Sequence, residues 1–187
     1  MQALTSPLGQ AVVEIERHVS ESGWDQPAQL FALVRTTELL EAEPRLAAEL
    51  GADAVRQELT PVAQDGLPPA ADSDGLAGAL ARIEWPEAVS GCAIAVERVV
   101  LPSEAEPGID ADAIAAAARD PRRHEVRMVA GVLRDGNRFG AVRLRTHDKD
   151  DAVLTGTDLV PTLCEVLALT FAPAASAGTG DDEENQR

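Results

Sequence analysis

The first part of the chain alternates between a helical and a strand-like spacing of hydrophobic positions. Between residues 7 and 21 these positions recur at steps of three and four, which is the spacing of one face of an α-helix. They are Leu8, Val12, Ile15 and Val19. A short apolar run at residues 30–34 follows the turn signal Gly-Trp-Asp-Gln-Pro, as is typical of a buried strand. The pattern therefore predicts an amphipathic helix followed by a strand.

Both spacings recur further along the chain. The further predicted helices run from Thr36 or Thr37 to Gly51, over residues 75–83, over residues 110–119, and from Thr157 or Asp158 through an apolar stripe that ends at Thr170. Residues 91–101 predict a strand with Cys92, Ile94 and Val96 on one face and Ala93, Ala95 and Glu97 on the other. Residues 55–62 fit either a short strand or irregular chain, and residues 147–156 fit a polar link.

Residues 124–146 give the strongest local signal, because two apolar-rich runs are joined by Asp-Gly-Asn at residues 135–137. Asp-Gly between such runs predicts a β-hairpin, since glycine adopts the positive φ that a tight turn requires. Two registers are possible. A turn of two or four residues places Val129, Gly131 and Leu133 on one face with Gly140, Val142 and Leu144, whereas a three-residue turn mixes these sets. We favour the first register because it makes one face almost wholly apolar.

Helices between non-adjacent strands, together with one hairpin, predict an α+β fold. We expect a mainly antiparallel sheet of about four to five strands, with about five helices packed mostly on one face. At 187 residues, one domain is the default. We assign residues 1–172 to that domain and residues 173–187, which are small, polar and acidic, to a disordered C-terminal tail.

Charge and composition narrow the choice of partners. The chain has 32 acidic and 16 basic residues, a formal net charge of −16, and this field repels phosphate backbones, so we expect no nucleic-acid partner. A signal peptide and a membrane-spanning run are both missing from the sequence, which predicts a cytoplasmic protein without membrane association. The two cysteines are too few for a disulfide framework, and the three histidines lack metal-ligand spacing, so neither a metal nor a cofactor is expected.

The hairpin carries the candidate binding residues. Arg143, Arg145 and His147 lie two residues apart, and on a continuous strand they point to the same side. Two guanidinium groups and an imidazole are suited to holding a carboxylate or phosphate. The alternative interpretation is an exposed sheet face whose arginines pair with acids on a neighbouring strand, such as Glu97.

Two tryptophans are the other candidate functional residues. Trp24 and Trp85 each precede a proline at a junction between a helix and a strand. Exposed tryptophan is a common anchor of protein interfaces. At such junctions a tryptophan more often covers the edge of the core.

The motifs of nucleotide binding, zinc proteolysis, thiol redox chemistry and serine hydrolysis are all missing from the sequence. We therefore expect a non-catalytic protein-interaction or adaptor domain with an unidentified protein partner, and a homodimer is one form that this could take. The alternative is a regulatory domain that binds a small anion through the cluster on the hairpin. An enzyme is the third hypothesis, and no reaction class follows from the sequence.

Three segments together resemble a family of small conserved actinobacterial proteins with no assigned function. They are GWDQPAQLFALVRTTELLEAEP at residues 23–44, IEWPEAVSGCAIAVERVVLP at residues 83–102, and HEVRMVAGVLRDGNRFGAVRLRTHD at residues 124–148. The similarity covers about residues 8–172. It implies a shared domain and a cytoplasmic actinobacterial protein, but no activity, cofactor or catalytic residue.

Overall fold

Six antiparallel strands form one sheet in the order β2-β1-β3-β4-β5-β6. The computed structural model describes residues 6–65, 67, 73–100 and 124–172. The strands are β1 (Gln29–Arg35), β2 (Leu59–Gln64), β3 (Val89–Val100), β4 (His124–Leu133), β5 (Arg138–Leu144) and β6 (Leu154–Gly156). The predicted α+β fold with a mainly antiparallel sheet is confirmed, with six strands rather than four or five.

The described residues form five α-helices. They are α1 (Pro7–Glu21), α2 (Thr36–Ala42), α3 (Leu46–Ala54), α4 (Ser73–Leu80) and α5 (Pro161–Ala168), and short 3-10 turns lie at Arg145–His147, Asp150–Ala152 and Leu169–Phe171. None of the helices in these ranges is long and apolar enough to cross a membrane. The helix predicted at residues 110–119 and the tail at residues 173–187 lie outside the described residues.

Helix α1 begins and ends where its sequence predicts. The Ser6 hydroxyl accepts a hydrogen bond from the Gly9 N–H, which caps the first turn, and Pro7 occupies the position where a missing N–H costs nothing. After the last turn, Gly23 takes a φ of +80°. This left-handed conformation turns the chain out of the helix toward β1.

The segment after β1 differs from the predicted single helix. It forms two helices, and Gly51 interrupts α3 with a φ of +79°. Neither threonine caps α2, because Arg35 is the residue that precedes its first turn. The buried Thr36 hydroxyl instead pairs with that of Thr60 at 2.9 Å, which joins the start of α2 to β2.

Both faces of the sheet are covered, which corrects the expectation of helices mostly on one face. Helix α1 packs on the face that presents Phe31, Ala93, Val129 and Phe139. Helices α4 and α5 pack on the other face, against residues that include Leu30, Cys92, Ile94 and Ala130. The physical reason is that the central strands are apolar on both sides, so each face needs a cover.

The favoured hairpin register is wrong. The connection has three residues, Arg134-Asp135-Gly136, with Gly136 at a φ of +89°, and the Leu133 N–H donates to the Asn137 carbonyl at 2.9 Å. Val129 therefore lies opposite Ala141, and Gly131 lies opposite Phe139. The turn geometry fixed the register, and the assumption of one wholly apolar face failed because the face under α1 also buries arginine.

One strand was missed. Residues 154–156 belong to the predicted polar link, yet they pair with Gly140–Val142 as the short edge strand β6. Three residues carry too little periodicity to predict a strand. The last helix also begins later than predicted, at Pro161.

Gly131 provides a test of how closely α1 approaches the sheet. A Cβ at this position lies 2.6 Å from Val12 Cγ2 and 3.0 Å from Leu8 Cδ1. We expect Gly131→Ala to lower the free energy of unfolding by about 1–3 kcal/mol, measured by urea denaturation, because the packed β-branched neighbour has little room to move.

Gly78→Ala is the matched control. A Cβ at Gly78 in α4 meets nothing within 4 Å, so this variant should gain about 0.5–1 kcal/mol from helix propensity. Equal effects of the two substitutions would contradict the tight packing of α1.

Candidate functional site

A row of charged side chains crosses three neighbouring strands beneath the C-terminal half of α1. Glu97 on β3 lies opposite Arg127 on β4, and Arg127 lies opposite Arg143 on β5. Strand alternation turns all three toward the face that α1 covers. The row lies at the end of the sheet remote from the β4–β5 turn.

Glu16 of α1 is the anion over this row. Its carboxylate accepts two hydrogen bonds from Arg143, at 2.6 Å from Nε and 2.7 Å from Nη2. Both side chains are only 3% exposed. Arg143 also donates to Asp148 at 3.1 Å and to Asp150 at 2.8 Å, and its hydrogen bond to Glu16 raises the pKa of the guanidinium. Arg143 is therefore held by three carboxylates, one on α1 and two in the segment after β5.

Arg127 is buried beside this pair. Its Nη2 donates to Glu97 Oε1 at 2.9 Å and to the Gly23 carbonyl. Its Nη1 lies 3.9 Å from Glu16 Oε1 and has no hydrogen-bond partner among the described residues. Glu16 therefore balances part of the charge of both Arg127 and Arg143, which face each other as like charges across β4 and β5.

Trp24 closes the cluster at the surface. The Arg127 guanidinium lies 4.5 Å from the centre of the indole ring and that of Arg145 lies 5.5 Å from it, within cation–π range. The indole Nε1–H donates to Asp148 Oδ2 at 2.8 Å. This hydrogen bond, supported by Arg143, lowers the pKa of the Asp148 carboxyl. Trp24 thus ties the turn after α1 to the segment after β5.

Asp25 and Arg145 form the outer layer. The Arg145 guanidinium donates to both oxygens of Asp25, at 2.9 and 3.0 Å, and to Glu125 at 2.6 Å. The hydrogen bond from Arg145 lowers the pKa of Asp25. Asp25 takes a φ of +67°, and its backbone N–H donates to Glu97 at 2.7 Å. Two strong contacts therefore hold a backbone conformation that aspartate adopts only at some cost.

The three predicted anion-binding residues have different environments. Arg143 is buried under α1 with Glu16, and Arg145 is part of the outer layer with Asp25. His147 is exposed, and its Nδ1 lies 3.1 Å from the Thr146 hydroxyl. The shared strand face ends because β5 stops at Leu144 and a 3-10 turn follows. The alternative interpretation holds for Arg145, which pairs with Glu125 on the neighbouring strand, but Arg143 is buried and pairs with Glu16 of a helix instead of lying on an exposed sheet face. Neither arginine pairs with Glu97 among the described residues.

An open cleft lies beside the outer layer. We call it the Trp24 cleft; its volume is about 280 Å³, and it is lined by Trp24, Asp25, Glu97, Arg98, Val99, Glu125, Val126 and Arg145. Val99 is 50% exposed, although it lies in a strand. An apolar side chain, an indole and several charged groups therefore meet solvent together.

Trp85 lies at the other face of the sheet. Its indole Nε1–H donates to the Thr170 hydroxyl at 2.9 Å, and its ring centre lies 6.3 Å from that of Phe171. Arg134 donates to the Trp85 carbonyl at 3.1 Å and packs over Phe171. Trp85 therefore joins the segment after α5 to the sheet and covers the edge of the core.

The cysteines are poor nucleophiles. Burial raises the pKa of Cys92 to about 12 and that of Cys164 to about 11. Within the described ranges no group of three or more histidine, cysteine, aspartate or glutamate side chains is arranged to hold a metal ion.

Glu16, Arg127 and Asp148 were not predicted from the sequence to be members of one cluster. The signal for Glu16 was present, because it lies four residues after Val12 on the apolar stripe of α1. A carboxylate at such a position needs a buried partner. The partner itself lies 127 residues away in the chain, so spacing gave no indication of it.

The chain belongs to the PPA1309-like protein family, whose profile matches residues 8–172. The resemblance to a conserved family is thereby confirmed. No function is known for this family, so membership assigns no activity. No curated protein and no solved structure matches the chain.

The buried pair gives a prediction about stability. We expect Glu16→Gln to lower the free energy of unfolding by about 3–5 kcal/mol in urea, because it leaves Arg143 and Arg127 buried without their common counter-charge. Glu21→Gln, on an exposed position of the same helix, should change it by less than about 0.5 kcal/mol. A small effect of Glu16→Gln would contradict the central role of this carboxylate.

The indole of Trp24 gives a prediction about pH. Trp24→Phe keeps an aromatic ring over Arg127 but removes the N–H that binds Asp148, so the pKa of Asp148 should rise toward its ordinary value of 3.8. Titration of the Asp148 carboxyl carbon by NMR measures this shift.

The same variant should alter the dependence of stability on pH. A carboxyl group whose pKa is lower in the folded state stabilises the fold above its unfolded pKa, and this contribution is lost as the pH falls through the folded value. The stability difference between wild type and Trp24→Phe that arises from Asp148 should therefore be present at pH 7 and shrink below pH ~3. A difference that is constant across this range would exclude Asp148 as its source.

Proposed function

We propose that this chain is a non-catalytic protein-interaction or adaptor domain and that the Trp24 cleft is its contact surface. The observation that carries the proposal is the exposure of Val99 beside the half-buried Trp24, within a rim of charged side chains. Protein interfaces concentrate their binding energy at such places, where tryptophan and arginine surround an apolar centre that loses water on contact.

The cleft is held in shape before any partner binds. Arg145 is fixed by Asp25 and Glu125, and Trp24 is fixed by Asp148 and by the ring contact with Arg127. A surface whose side chains are already ordered loses little conformational entropy on association. This rigidity supports a role in recognition.

The partner that fits is a protein segment with an apolar side chain flanked by basic residues. The apolar group meets Val99 and Trp24, and the basic groups face the carboxylates of Asp25 and Glu125 on the rim. The net charge of −16 attracts a basic partner over a distance and opposes the approach of a second copy of the chain.

The state of the reactive groups supports a non-catalytic role. The two thiols are buried and their pKa values are raised, which weakens them as nucleophiles. The carboxylates around Arg143 and Arg145 are engaged in ion pairs.

Binding of a small anion by Arg143, Arg145 and His147 stays the alternative prediction. An incoming anion has to replace Glu16 at a buried guanidinium, or Asp25 and Glu125 at Arg145. Replacement of a carboxylate that is already in place returns little net free energy. The geometry of these partners therefore favours the interaction domain.

We also propose that the domain acts in the cytoplasm of an actinobacterial cell. Cys92 and Cys164 are both free, as is usual for proteins in a reducing compartment.

The test is capture of a partner from the source lysate on immobilised protein, followed by a binding titration with the purified partner. We expect Val99→Lys to weaken binding by about tenfold or more, because it removes the apolar contact and repels a basic segment. The substituted side chain lies opposite Glu125 on β4, and such an opposite-charge pair across two strands is compatible with correct folding of the variant. Affinity for the wild type should also fall as salt rises.

Leu169→Lys is the matched control, because Leu169 is an exposed apolar residue, 67% accessible, outside the Trp24 cleft. It should bind as the wild type does. Retained binding in Val99→Lys, or equal loss in both variants, would contradict this contact surface. A third outcome is that the purified wild-type chain self-associates and that Val99→Lys abolishes this association. That result would identify a second copy of the chain, rather than a basic protein, as the partner at this surface.

A further inference from the structure

A second cleft lies on the same face of the sheet, between α1 and the outer strand β2. Its volume is about 210 Å³. Its apolar walls are Ile15 of α1, Phe31 of β1, Leu50 of α3, and Pro61 and Ala63 of β2. We call it the Glu14 cleft. It shares no lining residue with the Trp24 cleft.

Glu14 gives this cleft its chemistry. Glu14 lines the cleft, and one of its carboxylate oxygens, Oε2, is buried without a hydrogen-bond partner among the described residues. The other polar lining groups include His18, one turn further along α1, and Thr60, whose hydroxyl is engaged by Thr36. Within the part of the chain that the structure describes, no cation forms an ion pair with Glu14.

A buried carboxylate oxygen without a donor is an unusual feature, because such atoms lose water on folding and normally gain a replacement. An ionised carboxylate only accepts hydrogen bonds, so a ligand that meets the Glu14 carboxylate from the cleft must donate. A donor with a positive charge completes both the hydrogen bond and the charge balance. Because the walls of the cleft are apolar, the ligand that carries this donor should also have a hydrocarbon group that contacts them.

We propose that the Glu14 cleft binds a small organic ammonium ion, with its nitrogen on Glu14 and its hydrocarbon part between Ile15, Phe31 and Pro61. The volume is below the range of about 300–1,000 Å³ that is typical of pockets for larger ligands, which limits the occupant to a short alkyl chain. A free alkylamine and the side chain of a lysine share this chemistry.

The test is a calorimetric or NMR titration of the full chain with butylammonium chloride, with butanol as the uncharged analogue. We expect saturable binding of butylammonium and chemical-shift changes at the methyl groups of Ile15 and Ala63. Butanol should bind at least about tenfold more weakly, since it lacks the charge that meets Glu14.

Glu14→Gln should weaken butylammonium binding by about tenfold or more, whereas the matched control Glu21→Gln on the same helix should leave it unchanged. Ala63→Leu provides a second variant that keeps Glu14 and fills the cleft from the opposite wall, and it should also abolish binding. The melting temperature of each variant establishes that it is folded.

Absence of saturable butylammonium binding to the wild type would overturn the proposal, as would equal binding of butanol or unchanged binding by Glu14→Gln. A titration with Nα-acetyl-lysine amide separates the two sources of the ligand. Tighter binding than butylammonium points to a lysine side chain, and weaker binding points to a free amine. None of these outcomes depends on the Trp24 cleft, so each of the two proposals is tested independently of the other.

Discussion

The burial of Glu16 between α1 and the sheet is the constraint on which the rest of the structure depends. A carboxylate in the middle of an amphipathic helix is tolerated only with a full set of partners, and Arg143 supplies two hydrogen bonds at once. Such a pair adds little stability relative to apolar residues, but loss of one member leaves an isolated buried charge. The pair therefore fixes where α1 lies along the sheet rather than how strongly it binds.

The same constraint organises the surface. Arg143 reaches past Glu16 to Asp148 and Asp150, which positions the segment after β5. Asp148 in turn holds the indole of Trp24, which covers Arg127. The proposed contact surface is thus the outer side of a partly buried network, and its rigidity comes from the ion pairs and hydrogen bonds that connect it to the buried Glu16–Arg143 pair.

Two glutamates of α1 illustrate two states of a carboxylate. Glu16 has its donors inside the chain, whereas Glu14, two residues earlier, lines an apolar cleft and has one buried oxygen without a donor among the described residues. The difference follows from helical geometry, because residues two apart on a helix face different directions. Glu16 faces the arginine row and Glu14 faces β2, where the neighbouring walls are apolar.

Local periodicity determined much of this protein. The ends of α1, the two faces of β3 and the existence of the hairpin all follow from spacing and turn residues, since each depends on neighbours within a few positions. The length of the hairpin turn, which sets the register, was left open by the Asp-Gly signal. The covering of both faces and the strand β6 depended on contacts between distant segments. So did the candidate site: Glu16 and Arg143 are 127 residues apart, and only the folded chain decides which buried charge meets which.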